Sequence, residues 1–307
     1  MNKKLAMIGA GVVAGSVLLM SSVYAGVGSA PGYEAYKTAI KKTASIDNVT
    51  RSVKVSVEDN GLQLFQAASA MKSSDDAFSG FVEIRLPDEE TQDLRFYRQD
   101  GKQIVKSSES DVYRILKPGD EAHGRFKTSG DEAKFHDSGF AKEAEKVIDT
   151  LVGNLKNDVV LNKDGDNQKI SLSLEGSRIP ALANAIGSLL VKASGSDRVE
   201  EPKASADNPL GIDLRGLKDS LPELTEEIRI DSVTLTADVN ADGLIAKQTA
   251  ELRISGKDAE GSRHEAAVKL EAELSDYGAT TPDTVDLTGK PTVEVNLFEG
   301  TDRKHWR

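Results

Sequence analysis

The residues best placed to do chemistry form a short acidic motif, Asp238-x-Asn240-x-Asp242-Gly243. Its spacing matches the opening of a calcium-binding loop, in which side-chain oxygens alternate along the chain. The twelfth position of such a loop needs a bidentate glutamate, and Thr249 stands there. The flanking residues alternate with the period of a strand, and Asp-Gly is a strong turn signal. We therefore interpret the motif as a hairpin turn and leave a weak calcium contact open.

Other groups that could act as ligands or catalysts are scattered. The chain has four histidines, His123, His136, His264 and His305. None lies at the spacing of a metal-binding pair, so we interpret them as solvated surface residues. Neighbouring acids fall on predicted turns, whereas glycoside hydrolysis needs two carboxylates that face each other across a cleft. The sequence therefore predicts no catalytic residues, no metal site and no cofactor.

Most of the sequence is predicted to form strands joined by short turns. These strands would position any functional site. Apolar and polar residues alternate over many short stretches, as in residues 52–58, which is the period of a strand. Asn60-Gly61 and Asp100-Gly101 are turn signals of the hairpin type. Parallel strands need a crossover of about a dozen residues or more, so these short connections predict antiparallel pairing.

Three segments have the apolar spacing of amphipathic helices, namely residues 33–43, 141–155 and 180–191. The second carries the longest continuous apolar stripe and would be about 22 Å long. Residues 194–209 are charged, contain prolines and lack large apolar side chains, which predicts an exposed loop.

The first 25 residues have the order of a secretory signal peptide. Asn2-Lys3-Lys4 is cationic, Leu5–Met20 is apolar, and Val23 and Ala25 occupy the positions that a signal peptidase reads. The alternative is an uncleaved membrane anchor, but the apolar run contains glycines and is shorter than the ~20 residues that a span needs. We expect cleavage after Ala25 and a protein that is secreted or associated with the cell wall.

Composition excludes several classes of protein. The 307 residues carry a formal net charge of −11, which argues against nucleic-acid binding, and 38% of them are hydrophobic, enough for a sizeable core. Cysteine is absent, which excludes disulfides, thiolate metal sites and lipid attachment through an N-terminal cysteine. The basic segment 303–307 could contact a membrane surface or an anionic wall polymer. The sequence does not determine the oligomeric state.

Three stretches carry a family resemblance. They are Gly-Tyr-Glu-Ala-Tyr-Lys-Thr-Ala-Ile-Lys-Lys-Thr (residues 32–43), the hairpin Val-Thr-Leu-Thr-Ala-Asp-Val-Asn-Ala-Asp-Gly-Leu-Ile-Ala-Lys (233–247) and Leu-Ser-Asp-Tyr-Gly (274–278). With the order of the elements over residues 32–287, they resemble the exported bacterial carriers of the LolA/LppX type and related uncharacterised Gram-positive secreted proteins.

The resemblance implies an α+β fold. The expected architecture is a strongly curved antiparallel sheet, an unclosed barrel, with helices over its concave face. It would be a single domain at residues 33–287, between a leader at 26–32 and a tail at 288–307. Such carriers hold an acyl chain or another lipid between sheet and helices. The absence of a lipobox cysteine implies that this chain is not lipid-anchored.

We accordingly expect a non-catalytic binding protein for a lipid or other hydrophobic ligand. The residues predicted to line its cavity are Val82 and Ile84 from the sheet, Val147, Ile148 and Leu151 from the second helix, and Ile186, Leu189 and Leu190 from the third. Two alternatives stay open. All eight side chains could be ordinary core, and the protein could be a structural or cell-envelope interaction protein with no small-molecule ligand.

Overall fold

The computed structural model describes residues 30–117, 156–179, 222 and 224–296. The predicted signal peptide, the exposed loop at 194–209 and the basic segment 303–307 lie outside these ranges. So do the predicted helices at 141–155 and 180–191, and with them six of the eight predicted cavity residues.

The described chain forms one α-helix, α1 (Pro31–Ala44), and twelve strands. In chain order the strands are β1 (Val49–Asp59), β2 (Leu62–Ser74), β3 (Ala77–Arg85), β4 (Gln92–Gln99), β5 (Lys102–Ser107), β6 (Tyr113–Lys117), β7 (Val160–Asp164), β8 (Asn167–Glu175), β9 (Glu226–Val239), β10 (Ile245–Lys257), β11 (Arg263–Ser275) and β12 (Thr292–Asn296). Helix α1 confirms the helix predicted at residues 33–43. Within the described ranges, no helix has the length and apolar character that a membrane span requires.

All twelve strands pair in one open sheet, in the order β12-β6-β5-β4-β3-β2-β1-β11-β10-β9-β8-β7. Strands that follow each other through tight turns are antiparallel, as predicted. The turn residues Asn60 and Gly61 have φ angles of 51° and 80°, and Asp100 and Gly101 have 52° and 69°. Both pairs thus adopt the left-handed conformations that a two-residue hairpin turn needs, which confirms the two predicted hairpins.

The predicted fold class is wrong. The described chain is mostly β, with a single helix, and its sheet is mixed because β12 runs parallel to β6. The expected α+β arrangement, with several helices over the concave face of a purely antiparallel sheet, is therefore not supported. An apolar stripe shows which side of a helix is buried but not the surface against which it packs. Short turns likewise say nothing of a strand that arrives by a long connection.

One face of the sheet, here called the apolar face, carries the core. Helix α1 lies on it and contacts β7, β8 and β10. Under the helix, Ala39 and Ile40 pack with Val49, Ile170 and other buried side chains. A second cluster on the same face lies further along the sheet, towards its β12 end. Its buried members are Val55, Val57, Phe65, Ile84, Leu86, Val268 and Leu270.

The opposite face is crossed by residues 276–291, here called the strap. Asp283 accepts a hydrogen bond from Lys72 Nζ (2.9 Å), and its own N–H donates to Ser79 Oγ (2.7 Å). Further along, the N–H of Val285 donates to Gln99 Oε1 (2.8 Å). The strap thus carries the chain over the sheet from the end of β11 to β6, and this long connection allows β12 to pair in parallel.

Asn48 anchors the start of the strap. Its Oδ1 accepts the N–H of Thr280 (2.7 Å), and its Nδ2 donates to Ser74 Oγ (2.8 Å) and to the Thr280 carbonyl (3.1 Å). The N–H of Gly278 donates to the Asn48 carbonyl (2.9 Å). Because Thr280 is 6% exposed, water cannot easily replace these bonds.

We expect Asn48→Ala to lower the free energy of unfolding by about 1–3 kcal/mol, since it leaves part-buried donors and acceptors unpaired. Urea unfolding measures the loss, and limited proteolysis should cut the strap faster. Asn48→Asp keeps the acceptor for Thr280 and should lose less. Equal stability of wild type and Asn48→Ala, with no change in proteolysis, would contradict the anchoring role.

Candidate ligand-binding face

A straight row of paired residues crosses the apolar face from β1 to β6. Directly opposite residues of neighbouring strands share a face of the sheet. From β1 to β6 the row runs Arg51, Met71, Gly80, Phe96, Val105, Arg114. It therefore has an apolar middle and a guanidinium group at each end.

Gly80 makes room for an aromatic ring at the centre of this row. A Cβ at this position would lie 2.9 Å from Phe96 Cε2 and 2.5 Å from the Ala70 carbonyl oxygen. Phe78 meets Phe96 edge on, with ring centroids 6.1 Å apart and an interplanar angle of 63°. Met71, next in the row, is 38% exposed. Met71, Phe78, Gly80 and Phe96 form a partly exposed apolar surface, here called the aromatic patch.

Arg51 is held by partners of its own. Its two terminal nitrogens donate to Ser73 Oγ (3.2 Å) and to the Ile46 carbonyl (3.3 Å). Burial lowers the pKa of this guanidinium from its ordinary value, although Tyr277 and Asp47 partly oppose the shift. Arg51 thus ties β1 to the segment that follows α1.

Two further arginines flank the aromatic patch. Arg98 lies directly opposite Phe78 on β3 and Gln103 on β5. Arg114 lies between Val105 on β5 and Val293 on β12. The Nη1 atom of Arg114 is buried and has no hydrogen-bond partner.

The distribution of acidic residues differs between the two faces of the described sheet. In the described strands β2–β6 and β12, no Asp or Glu occupies a position in phase with the aromatic patch. The whole chain nevertheless carries a net charge of −11. Acids lie instead on the opposite face, as in the ion pairs of Lys269 with Glu58 (2.7 Å) and Lys247 with Glu271 (2.6 Å). In β2–β6 and β12, acidic residues are therefore confined to the opposite face.

Two of the predicted cavity residues lie beside the aromatic patch. Ile84 is 7% exposed and belongs to the second cluster, against which the half-buried Val82 packs. Val82 is two residues along β3 from Gly80 and therefore shares its face. That these side chains contact a ligand stays a prediction. Phe96, Arg98 and Arg114 were not predicted as site residues, although Arg98 is in phase with Leu94 and Phe96 in its strand.

A buried polar pair lies on the same face under α1. Gln248 is 2% exposed, and its Nε2 donates to the hydroxyl oxygen of Tyr36 (2.9 Å). Burial raises the pKa of Tyr36 far above its ordinary value. Nearby, the N–H of Ile245 donates to Thr43 Oγ1 (2.9 Å). These bonds fix the helix on the sheet, so we assign the pair a structural role.

His264 lies between two carboxylates, away from the aromatic patch. Its Nδ1 lies 2.7 Å from Asp59 Oδ2 and its Nε2 lies 3.2 Å from Asp258 Oδ2. The side chain is 18% exposed, so it is not the solvated histidine that the sequence suggested. The hydrogen bond to Asp59 raises the pKa of His264, and burial partly opposes it. His264 joins the β1–β2 turn to the β10–β11 turn.

The acidic motif at the β9–β10 connection is a hairpin turn, as interpreted from its sequence. The N–H of Leu244 donates to Asn240 Oδ1 (2.9 Å), and the N–H of Gly243 donates to the Asn240 carbonyl (2.8 Å). Lys42 of α1 donates to the Asp242 carbonyl. These oxygens are thus engaged within the protein. Within the described ranges, no three His, Asp or Glu side chains are grouped so that they could hold a metal ion.

Two surface depressions lie away from the aromatic patch. One of 390 Å³ is on the opposite face, lined by residues that include Lys54, Glu58 and Glu271. The other, of 470 Å³, lies near the β7–β8 turn beside Asp164 and Asn167. Charged and polar side chains dominate the lining of the first depression, which therefore does not suit a hydrophobic ligand.

Comparison with known proteins assigns the chain to no family. No family model and no curated protein matches the chain. The chain is similar to the crystal structure of Rv2717c from M. tuberculosis, with 9% identity over 78% of this chain and 96% of that one, and a TM-score of 0.18. It is also similar to the LolA superfamily protein NE2245 from Nitrosomonas europaea, with 10% identity over 81% and 93% of the two chains and a TM-score of 0.19. A LolA superfamily structure is thus among the similar ones, but likeness at this level carries no functional conclusion.

We predict a pH dependence of stability from His264. A pKa raised by folding means that the protonated histidine favours the folded state. This stabilisation is complete below the unfolded-state pKa of about 6.5 and is lost as pH rises through the higher folded-state pKa. The melting temperature of the wild type should therefore fall over this window relative to that of His264→Gln. Parallel curves of melting temperature against pH for the two proteins would refute this prediction.

Proposed function

We propose that the protein is a non-catalytic binding protein that holds a hydrophobic ligand against the apolar face. The observation that carries the proposal is the aromatic patch, which leaves apolar side chains partly exposed in a part of the face where the described strands place no acids. Helix α1 contacts the other end of the sheet, at β7, β8 and β10. An exposed apolar surface of this kind is typical of a ligand or partner site.

The energetics favour a long ligand over a short one. Burial contributes about 0.8 kcal/mol per CH₂, or on the order of ten kcal/mol gross for a C16 chain. Association costs roughly 4–15 kcal/mol in lost translational and rotational freedom. A ligand with few methylenes cannot offset this cost through apolar contact alone, so a long-chain lipid fits the proposal best.

The chemistry of the face supports binding without catalysis. Around the aromatic patch the strands present aliphatic, aromatic, amide, hydroxyl and guanidinium groups. General acid-base catalysis at neutral pH uses groups such as histidine or carboxylates. In β2–β6 and β12, the face carries neither.

A matched pair of variants tests the proposal with N-phenyl-1-naphthylamine, a neutral apolar fluorescent probe. Met71 and Phe81 are both 38% exposed but lie on opposite faces of the sheet, Met71 in the aromatic patch. Met71→Asp would place a carboxylate under the bound probe, and we expect at least a tenfold loss of affinity, about 1.4 kcal/mol. Phe81→Asp should bind like the wild type.

Native mass spectrometry of the gently purified protein gives a second readout, in which a lipid mass should co-purify. Absence of probe binding together with a ligand-free mass would instead favour the structural or cell-envelope protein considered above. Equal losses of affinity in the two variants would show that the probe does not bind on the apolar face.

We further propose that residues 1–25 direct export and are removed. The support is their order of cationic, apolar and small residues. Expression of the full chain in a bacterium should yield extracellular or wall-associated protein whose N-terminal sequence begins at Gly26. Recovery of the intact N-terminus in the membrane fraction would contradict cleavage and favour the anchor.

A further inference from the structure

We infer that the ligand is an anionic amphiphile, with its chain along the aromatic patch and its acidic head group bound by Arg98 and Arg114. This inference rests on the proposed function and specifies its ligand class.

The first support is the placement of the two arginines. Arg98 is directly opposite Phe78, and Arg114 is in the same row as Phe96. Their strands, β4 and β6, are separated only by β5, so the two residues lie roughly 10 Å apart across the sheet and, with an offset of two residues, about 7 Å apart along it. Arginine can lay its aliphatic stem along apolar surface while its charged end extends beyond it. Two such side chains can therefore converge on one small group.

The second support is that no carboxylate of the described strands serves them. Val105 and Val293 flank Arg114, and Gln103 faces Arg98. The Nη1 atom of Arg114 is buried without an acceptor. A buried donor without a partner is costly, and more so in a charged group. An anionic ligand would supply the missing acceptor.

Several other arginines of the sheet, in contrast to Arg98 and Arg114, have acceptors within the described chain. On the opposite face, Arg85 pairs with Glu83 (2.7 Å) and Arg95 pairs with Asp93 (3.3 Å). On the apolar face, Arg51 has the hydroxyl and carbonyl partners described above. Arg98 and Arg114, which lack such partners among the described residues, both lie on the surface that we propose binds an apolar chain.

The chemistry of guanidinium selects the head group. Its planar fork of donors matches the two oxygens of a carboxylate or phosphate group. Because the described strands β2–β6 and β12 place no acid on this face, none of them would set a repelling charge beside the bound anion. The shared requirement is an acidic group at the end of a long chain, which a fatty acid or an alkyl phosphate would meet and a free phosphate ion would not.

Four probes separate the contributions of head group and chain. They are palmitate, hexadecyl phosphate, the neutral hexadecanol, and inorganic phosphate, each measured by displacement of N-phenyl-1-naphthylamine or by calorimetry. We expect the wild type to bind palmitate and hexadecyl phosphate at least tenfold more tightly than hexadecanol. Inorganic phosphate alone should bind weakly or not at all.

The decisive variant is the double substitution Arg98→Gln with Arg114→Gln. It should lose at least tenfold in affinity for the two anionic amphiphiles while its affinity for hexadecanol stays the same. Arg95→Gln, on the opposite face of β4, is the matched control and should bind all probes like the wild type. Urea unfolding verifies that each variant is folded, and the single variants Arg98→Gln and Arg114→Gln replace the double one if it is not.

The outcomes separate the two proposals. If the wild type binds hexadecanol and palmitate equally well, or if the double variant keeps its preference for anions, the head-group site is refuted while the hydrophobic binding function stands. Binding of inorganic phosphate as tight as that of palmitate would also overturn it, because the chain would then contribute nothing. If no apolar probe binds, the proposed function itself fails.

Discussion

The pairing of β1 with β11 is the interaction on which the rest of the structure depends. It joins β1–β6, with β12 at their outer edge, to β7–β11. Ten residue pairs match across it, with Val55 opposite Leu270 and Val57 opposite Val268. These four residues are also members of the second buried cluster. Backbone pairing and apolar burial therefore act at the same place, and together they make the two halves one sheet.

A single continuous sheet has a consequence for charge. Since side chains alternate between the faces, each strand can place its acids on one side and its apolar residues on the other. The opposite face accordingly bears networks such as that of Lys247 with Glu271 and Glu273. The apolar face keeps Arg51, Arg98 and Arg114 near its aromatic patch. In an acidic protein, this leaves a local positive site in apolar surroundings, which suits an anionic ligand with an apolar chain.

The strap adds a constraint of a different kind. Its hydrogen bonds to Ser79 and Gln99 place chain on the face opposite the aromatic patch, where Ile104 is only 1% exposed. The strap also delivers β12 to β6, so that Val293 lies next to Arg114. One long connection thus covers part of one face and completes the surroundings of an arginine on the other.

Local features of this fold could be predicted from the sequence alone. Helix α1 follows from its apolar spacing, and the hairpins follow from Asn60-Gly61, Asp100-Gly101 and the turn at 240–243, because backbone conformation at a turn depends on the few residues in it. That Val82 and Ile84 share one face of their strand could also be predicted, because side chains alternate along a strand.

Tertiary structure alone decided which residues meet. The parallel partner of β12, the row that brings Met71, Phe96 and Arg114 together, and the bond between His264 and Asp59 all join residues far apart in the chain. Such contacts depend on strand order and register, which are set by the cooperative packing of the whole sheet. No local pattern of residue types carries that information.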